Sequence, residues 1–251
     1  MSSVVLHDLT KQFPARRGAG GAPDGVLAVD HMTLEVAAGE LLGLLGPNGA
    51  GKTTTLLLLS TLLAPTAGTA VIEGFDVRRA PGEVRRRIGV LLAGDRAVYR
   101  RLTGRENLLY FAALYGLPRQ EAHSRAQALL ELVGLTDRAD DLVERYSTGM
   151  RMRVAIARSV LHGPAVLLLD EPTVGLDPHG ARLVRELIAS LHQSGKTILL
   201  ATHDMAEAER LCDRVAIIDR GRIVAVDAPD RLTAAGSLEE VVLTLTRRLD
   251  A

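Results

Sequence analysis

Within eight positions, Gly46-Pro47-Asn48-Gly49-Ala50-Gly51-Lys52-Thr53 brings together the residue types that hold phosphate. Glycines let successive backbone N–H groups turn toward phosphate oxygens, and a helix starting at the loop adds the positive end of its dipole. Lys52 supplies a compact charge between β- and γ-phosphates, Thr53 a hydroxyl suited to Mg²⁺, and Thr54 carries the chain into the helix. The pattern of Gly, four residues, Gly, Lys, Thr is specific, and a glycine turn that merely caps a helix is a poor rival for it.

A second candidate is Val166-Leu167-Leu168-Leu169-Asp170-Glu171, an apolar run that ends in two carboxylates. Ligands collect beyond the carboxyl ends of parallel strands. Asp170 there can hold the metal shell, and Glu171 can accept a proton from water. Alone, an Asp-Glu pair marks an ordinary strand end. Its weight comes from partnership with the glycine loop.

The elements that must position these groups follow from periodicity. Leu41 to Leu45 is a short apolar run bounded by glycines, as expected for a strand buried on both faces, and a Leu-rich helix then runs to near Pro65. Residues 4–13 read as a first strand, Pro14 to Gly25 as a loop, and Val26 to Val36 as two short strands. From Gly68 to Val90 short strand signals alternate with a helical Glu83 to Arg87. Thr103 to Leu135 reads as two helices split at Gly116-Leu117-Pro118, and Met150 to His162 as another. Val166 to Leu169, Ile198 to Ala201 and Val215 to Ile218 are strands joined by helices, the alternation that builds a parallel sheet. Leu238 to Leu249 fits a helix or a strand.

Composition narrows the class. The 251 residues carry 30 basic and 30 acidic side chains, so bulk charge gives no nucleic-acid footprint. One cysteine, Cys212, leaves neither a disulfide framework nor a cysteine zinc site. The stretch without charge from Thr53 to Ile72 is broken by Thr, Ser60, Pro65 and Gly68, and residues 1–8 lack the pattern of a leader, so the expectation is a soluble, cytoplasmic chain with no lipid anchor. Only Lys11, Lys52 and Lys196 are lysines. Lys11 and Lys196 are read as solvated charges.

Between the two candidates lies Tyr146-Ser147-Thr148-Gly149-Met150, ahead of a helix, and beyond them come Gly175-Leu176-Asp177 and Thr202-His203-Asp204. In this order the five motifs resemble those of the nucleotide-binding subunit of ATP-binding-cassette (ABC) transporters, over nearly the whole chain. The resemblance implies an α/β P-loop NTPase with a RecA-like core, an antiparallel β sub-domain and an inserted α-helical sub-domain. Its division would be β sub-domain and core over 1–92, helical sub-domain over about 93–162, core over 163–228 and a C-terminal extension over 229–251.

The resemblance also implies roles. ATP and Mg²⁺ would be bound by Gly46, Pro47, Asn48, Gly49, Ala50, Gly51, Lys52, Thr53 and Thr54, with Phe13 stacked on adenine and Thr53 and Asp170 at the metal. Glu171 and His203 would carry hydrolysis. Ser147, Thr148, Gly149 and Met150 would reach the ATP of a second copy or a paralogous ATPase across a head-to-tail dimer, with Asp177 in the adjoining loop. The dimer would drive a separate integral-membrane permease from the inner face of the cell membrane, without nucleic acid.

Departures from the family pattern are as informative. The family's glutamine near residue 90 is missing, because spacing puts Gly94 there with Asp95 beside it. Thr148 replaces a glycine of the signature and Met150 its glutamine. The signature, the stretch Leu102 to Leu108 and the end Leu238-Glu239-Glu240-Val241 are similar to drug- and antibiotic-export members. Tyr99-Arg100-Arg101 falls where the permease would dock, or is a plain solvated loop. The rival expectation is an ABC-type mechanical or regulatory ATPase without a membrane partner, which the single cassette and the intact Glu171 disfavour.

Overall fold

The computed structural model describes residues 2–14, 25–92 and 98–247. Gly94 and Asp95 lie outside the described residues. In chain order the strands and helices begin with β1 (Ser2–Phe13), β2 (Val26–Ala37), β3 (Leu41–Leu45), α1 (Lys52–Leu59), β4 (Ala67–Ile72), β5 (Phe75–Asp76), α2 (Pro81–Arg87) and β6 (Ile88–Leu91). Three helices follow, α3 (Gly104–Leu114), α4 (Arg119–Leu132) and α5 (Thr148–Val160). The chain then alternates through β7 (Val166–Asp170), α6 (Pro178–Gln193), β8 (Thr197–Thr202), α7 (Met205–Leu211) and β9 (Arg214–Asp219). It finishes with β10 (Arg222–Asp227), α8 (Pro229–Leu232) and α9 (Leu238–Arg247).

Two sheets result. A six-stranded sheet has the order β10-β9-β3-β8-β7-β6, parallel throughout except for the antiparallel β10. A four-stranded antiparallel sheet has the order β2-β1-β4-β5. Every residue of β3, β7 and β8 is buried, which is why these strands read as unbroken apolar runs.

The period-2 alternation of the strands sorts the core by face. Leu41, Leu45, Leu167, Leu169, Ile198 and Leu200 pack with Leu108 of α3, Leu130 of α4, Ile156 of α5 and Ile188 of α6. Leu42, Leu44, Val166, Leu168 and Leu199 pack with Leu56 and Leu59 of α1 and with Val4, Leu6 and Val36 of the antiparallel sheet. Each buried Leu contributes about 1.5–3 kcal/mol by leaving water, so both faces of the parallel sheet are fixed. Its carboxyl edge is left for chemistry.

Four sequence expectations change. The two short strands expected over Val26 to Val36 are one strand, β2, whose pairing with β1 shifts register at several points and whose His31 has φ 48°. Those irregularities break the alternation that a continuous strand would show. The helix expected to run to near Pro65 ends at Leu59: the Ser60 hydroxyl donates to the Leu57 carbonyl at 3.0 Å and Thr61 turns left-handed at φ 63°. Lys11 and Lys196 are not simply solvated, since their ammonium groups donate to the carbonyls of Ala64 at 2.8 Å and Pro164 at 2.6 Å. β10, which the sequence reading leaves out, follows the Arg220-Gly221 turn. The open choice at the C-terminus resolves as the helix α9.

The segment between β6 and β7 is anchored by Asn107 of α3, which is fully buried. Its Oδ1 accepts the Tyr99 N–H at 2.7 Å, and its Nδ2 donates to the carbonyls of Tyr99 at 3.0 Å and Thr103 at 2.9 Å. Among the described residues no helix is long and apolar enough to cross a membrane. Asn107→Ala strands these backbone groups and is expected to cost about 2–3 kcal/mol, read as a lower urea midpoint at unchanged m-value.

Candidate active site

The glycine loop leaves β3 and closes on α1. Two of its glycines are required by close approach. A Cβ on Gly46 would stand 2.1 Å from the Ile218 carbonyl oxygen, and one on Gly51 would stand 2.4 Å from that of Ala28. Gly51 also has φ 109°. The β9–β10 turn braces the loop: Gly221 donates its N–H to the Ala50 carbonyl at 2.8 Å and accepts the Asp30 N–H at 2.9 Å. Sequence reading missed this support, although Arg220-Gly221-Arg222 is a turn signal.

Lys52 opens α1 and is only 5% exposed. Its Nζ donates to the carbonyls of Gly46 at 2.6 Å and Pro47 at 3.1 Å and lies 4.0 Å from the Glu171 carboxylate. Burial lowers its pKa, and the charges of Glu171 and Asp170 act in the opposite sense. Beside it, the Thr53 hydroxyl lies 3.1 and 3.0 Å from the two oxygens of Asp170, itself 1% exposed at the end of β7. A hydroxyl and a carboxylate side by side form the hard-oxygen donor set that suits Mg²⁺, which keeps waters for its remaining positions.

Glu171 follows with φ 49°, a left-handed backbone held by its N–H bond to the Ala201 carbonyl at 2.9 Å. His203, just past β8, places Nδ1 2.9 Å from the Glu171 carboxylate. Asn48 to Thr54 and Glu171 line a cavity of about 180 Å³. Loop, lysine, hydroxyl, two carboxylates and imidazole therefore meet at one edge of the sheet.

Other expected residues lie elsewhere. Phe13 ends β1 opposite Val26, with the Lys11 ammonium 5.2 Å from its ring, on the hairpin whose Ala28 abuts Gly51. Ser147 caps α5 by accepting the Met150 N–H at 3.2 Å. Ser147 and Thr148 are exposed, Gly149 is buried and Met150 half-buried, and none of the four lines the cavity at Lys52. Asp177 caps α6, and a Cβ on Gly149 would come 3.4 Å from Gly180 on that helix. The starts of α5 and α6 are thus held together, and neither lines the cavity at the glycine loop.

A family model described as ABC transporter matches residues 29–174. The chain belongs to the ABC transporter ATP-binding family. As such it is an ATPase cassette. It is 40% identical to the ABC transporter ATP-binding protein NatA of Bacillus subtilis over 95% of this chain and 94% of that protein. It is 47% identical to the daunorubicin resistance ATP-binding protein DrrA2 of Streptomyces coeruleorubidus over 86% of this chain and 67% of that protein. A solved dimeric ATP-binding cassette in a post-hydrolysis state with ADP and Pi superposes at a TM-score of 0.77 and 27% identity, over 90% of this chain and 98% of that one. The likeness to a drug-resistance member of the ABC family therefore extends beyond the signature.

The two φ-positive glycines of the cassette's loop separate conformation from contact. Gly49 has φ 83° with open space at its Cβ position, whereas Gly51 meets backbone. Gly49→Ala is expected to cost about 1–2 kcal/mol. Gly51→Ala adds overpacking and is expected to cost about 3–4 kcal/mol. Urea unfolding of the two variants checks the order.

Proposed function

We propose that this chain is the ATPase subunit of an exporter, pairing with a second copy or a paralogous cassette around ATP and driving a separate membrane permease. The cargo in this proposal is a drug, antibiotic or lipid-like molecule; the daunorubicin-resistance relative supports the drug class. The carrying observation is the division of groups between two places in the fold. Lys52, Thr53, Asp170, Glu171 and His203 form one cluster. The capped, exposed start of α5 at Ser147 does not line the cavity at that cluster. A head-to-tail pair supplies each cluster with the missing helix N-terminus, whose N–H groups suit a γ-phosphate. Attachment to the permease would hold the cassette at the cytoplasmic face of the membrane.

In this reading the Lys52 ammonium leaves the carbonyls of Gly46 and Pro47 for the β- and γ-phosphates, while backbone N–H groups of Gly49 to Thr54 hold the remaining oxygens. Thr53 and Asp170 hold Mg²⁺, which when bound neutralises charge on the phosphate oxygens. Glu171 takes the proton of the attacking water, the bond to the γ-phosphorus forms as that to the ADP oxygen breaks, and ADP and phosphate leave. His203 orients the Glu171 carboxylate and contacts the γ-phosphate. Phe13 gives an aromatic face for adenine, and Asp177 joins the signature end of one copy to the other's site.

Lys52→Ala is expected to weaken ATP binding by about 10- to 100-fold, measured by isothermal titration; wild-type affinity would remove the loop from the site. Glu171→Gln should keep that affinity and lower kcat by about 100-fold or more. Mixing inactive Lys52→Ala chains with inactive Ser147→Arg chains should recover part of the turnover, because one composite site per mixed pair is intact. No recovery would overturn the head-to-tail arrangement.

A further inference from the structure

Glu207 sits on α7, one helical turn beyond His203, and is 1% exposed. Both carboxyl oxygens are shut away from solvent, and neither has a partner at full hydrogen-bonding geometry. The side chain is not needed to start the helix, because Asp204 Oδ1 already accepts the Glu207 N–H at 3.0 Å. Two hydroxyls engage the carboxyl as weak hydrogen-bond partners, those of Thr202 at the end of β8 and Thr173 just beyond Glu171, and the charges of Asp204 and of Arg185 on α6 also act on it. Burial prevails over the hydroxyls and raises the carboxyl's pKa.

A neutral carboxyl both donates and accepts, so it can join two hydroxyls on different segments. Thr202 Oγ1 accepts the Asp204 N–H at 3.0 Å, which leaves its proton to be donated. One of these segments carries Glu171 and the other His203. A sealed carboxyl whose bonds fall short of full geometry is unfavourable, and a small inward shift of either segment would tighten them. We propose that Glu207 is a positioning residue whose carboxyl ties Thr173 to Thr202 and thereby holds Glu171 and His203 at bonding distance during turnover.

The test is steady-state phosphate release by the full chain over a range of ATP concentrations. Glu207→Ala should lower kcat about 10-fold or more and leave KM for ATP within about two-fold, while Glu207→Gln restores most of the rate. In a His203→Ala background Glu207→Ala should cost less than about two-fold, because the group it holds is gone. Thr173→Val should mimic Glu207→Ala and add nothing to it; if circular dichroism shows Glu207→Ala unfolded, this variant and its cycle with His203→Ala decide. Losses that multiply independently, a shift in KM instead of kcat, or a Gln variant as impaired as Ala would each overturn the proposal. The inference rests on Glu171 and His203 serving hydrolysis: wild-type turnover by His203→Ala would sink that reading, whereas independent losses would sink only the Glu207 tie. Where His203→Ala turnover is at background, the kcat-against-KM split and the Gln rescue decide.

Discussion

Leu45 stands level with Thr202, and Asp170 stands level with Ala201, through the hydrogen-bond registers of β3 with β8 and of β8 with β7. Everything chemical in the molecule depends on those two registers. They bring the loop after Leu45, the carboxylates at Asp170 and Glu171, and His203 to one level of the sheet, although the three segments are far apart in sequence. A slip of one residue in β7 would turn Asp170 to the opposite face and carry Leu167 and Leu169 out of the core they share with α5. The apolar packing on both faces therefore fixes the register, and the register positions the site.

That site is held under local strain and with desolvated charge. Lys52 is buried with a lowered pKa, Glu171 has a left-handed backbone without being glycine, and Gly46 and Gly51 admit other chain segments where any side chain would collide. Each feature disfavours the fold on its own. They persist because the surrounding elements over-determine them: the Ala201 carbonyl holds Glu171, the carbonyls of Gly46 and Pro47 hold Lys52, and Gly221 ties the loop to β2.

Legibility followed the range of the interaction. Gly46 to Thr53 was readable because all its parts are contiguous, and β3, β7 and β8 were readable because burial on both faces writes an uninterrupted apolar run. The bulges of β2, with His31 at φ 48°, disturb the period that identifies a strand, so its sequence pattern breaks into two short strands. The end of α1 was overrun since nothing in Thr61-Leu62-Leu63 announces a left-handed residue before Pro65. Lys11 and Lys196 found carbonyl partners on distant segments, Ala64 and Pro164, that no local pattern reveals. Glu207 is the sharpest case: on a short helix with Glu209 and Arg210 beside it, the sequence offers a solvated face, and only the packing of α7 against α6 and β8 shows it enclosed.

The same distinction bears on why this ATPase would work as a pair. A helix N-terminus offers unpaired N–H groups, and that of α5 is exposed, capped by Ser147 and backed by Gly149 where it approaches Gly180 of α6. A small residue at each of those two positions keeps the α5 and α6 starts within contact. Asp177 caps the second of these starts. Nucleotide seated between Lys52 of one chain and Ser147 of another would then be both substrate and adhesive: its γ-phosphate supplies the charge that both helix ends attract, and its cleavage removes that charge from between them. In that proposed arrangement hydrolysis would weaken the pairing by consuming what holds it, and a cycle of closing and opening would follow from electrostatics.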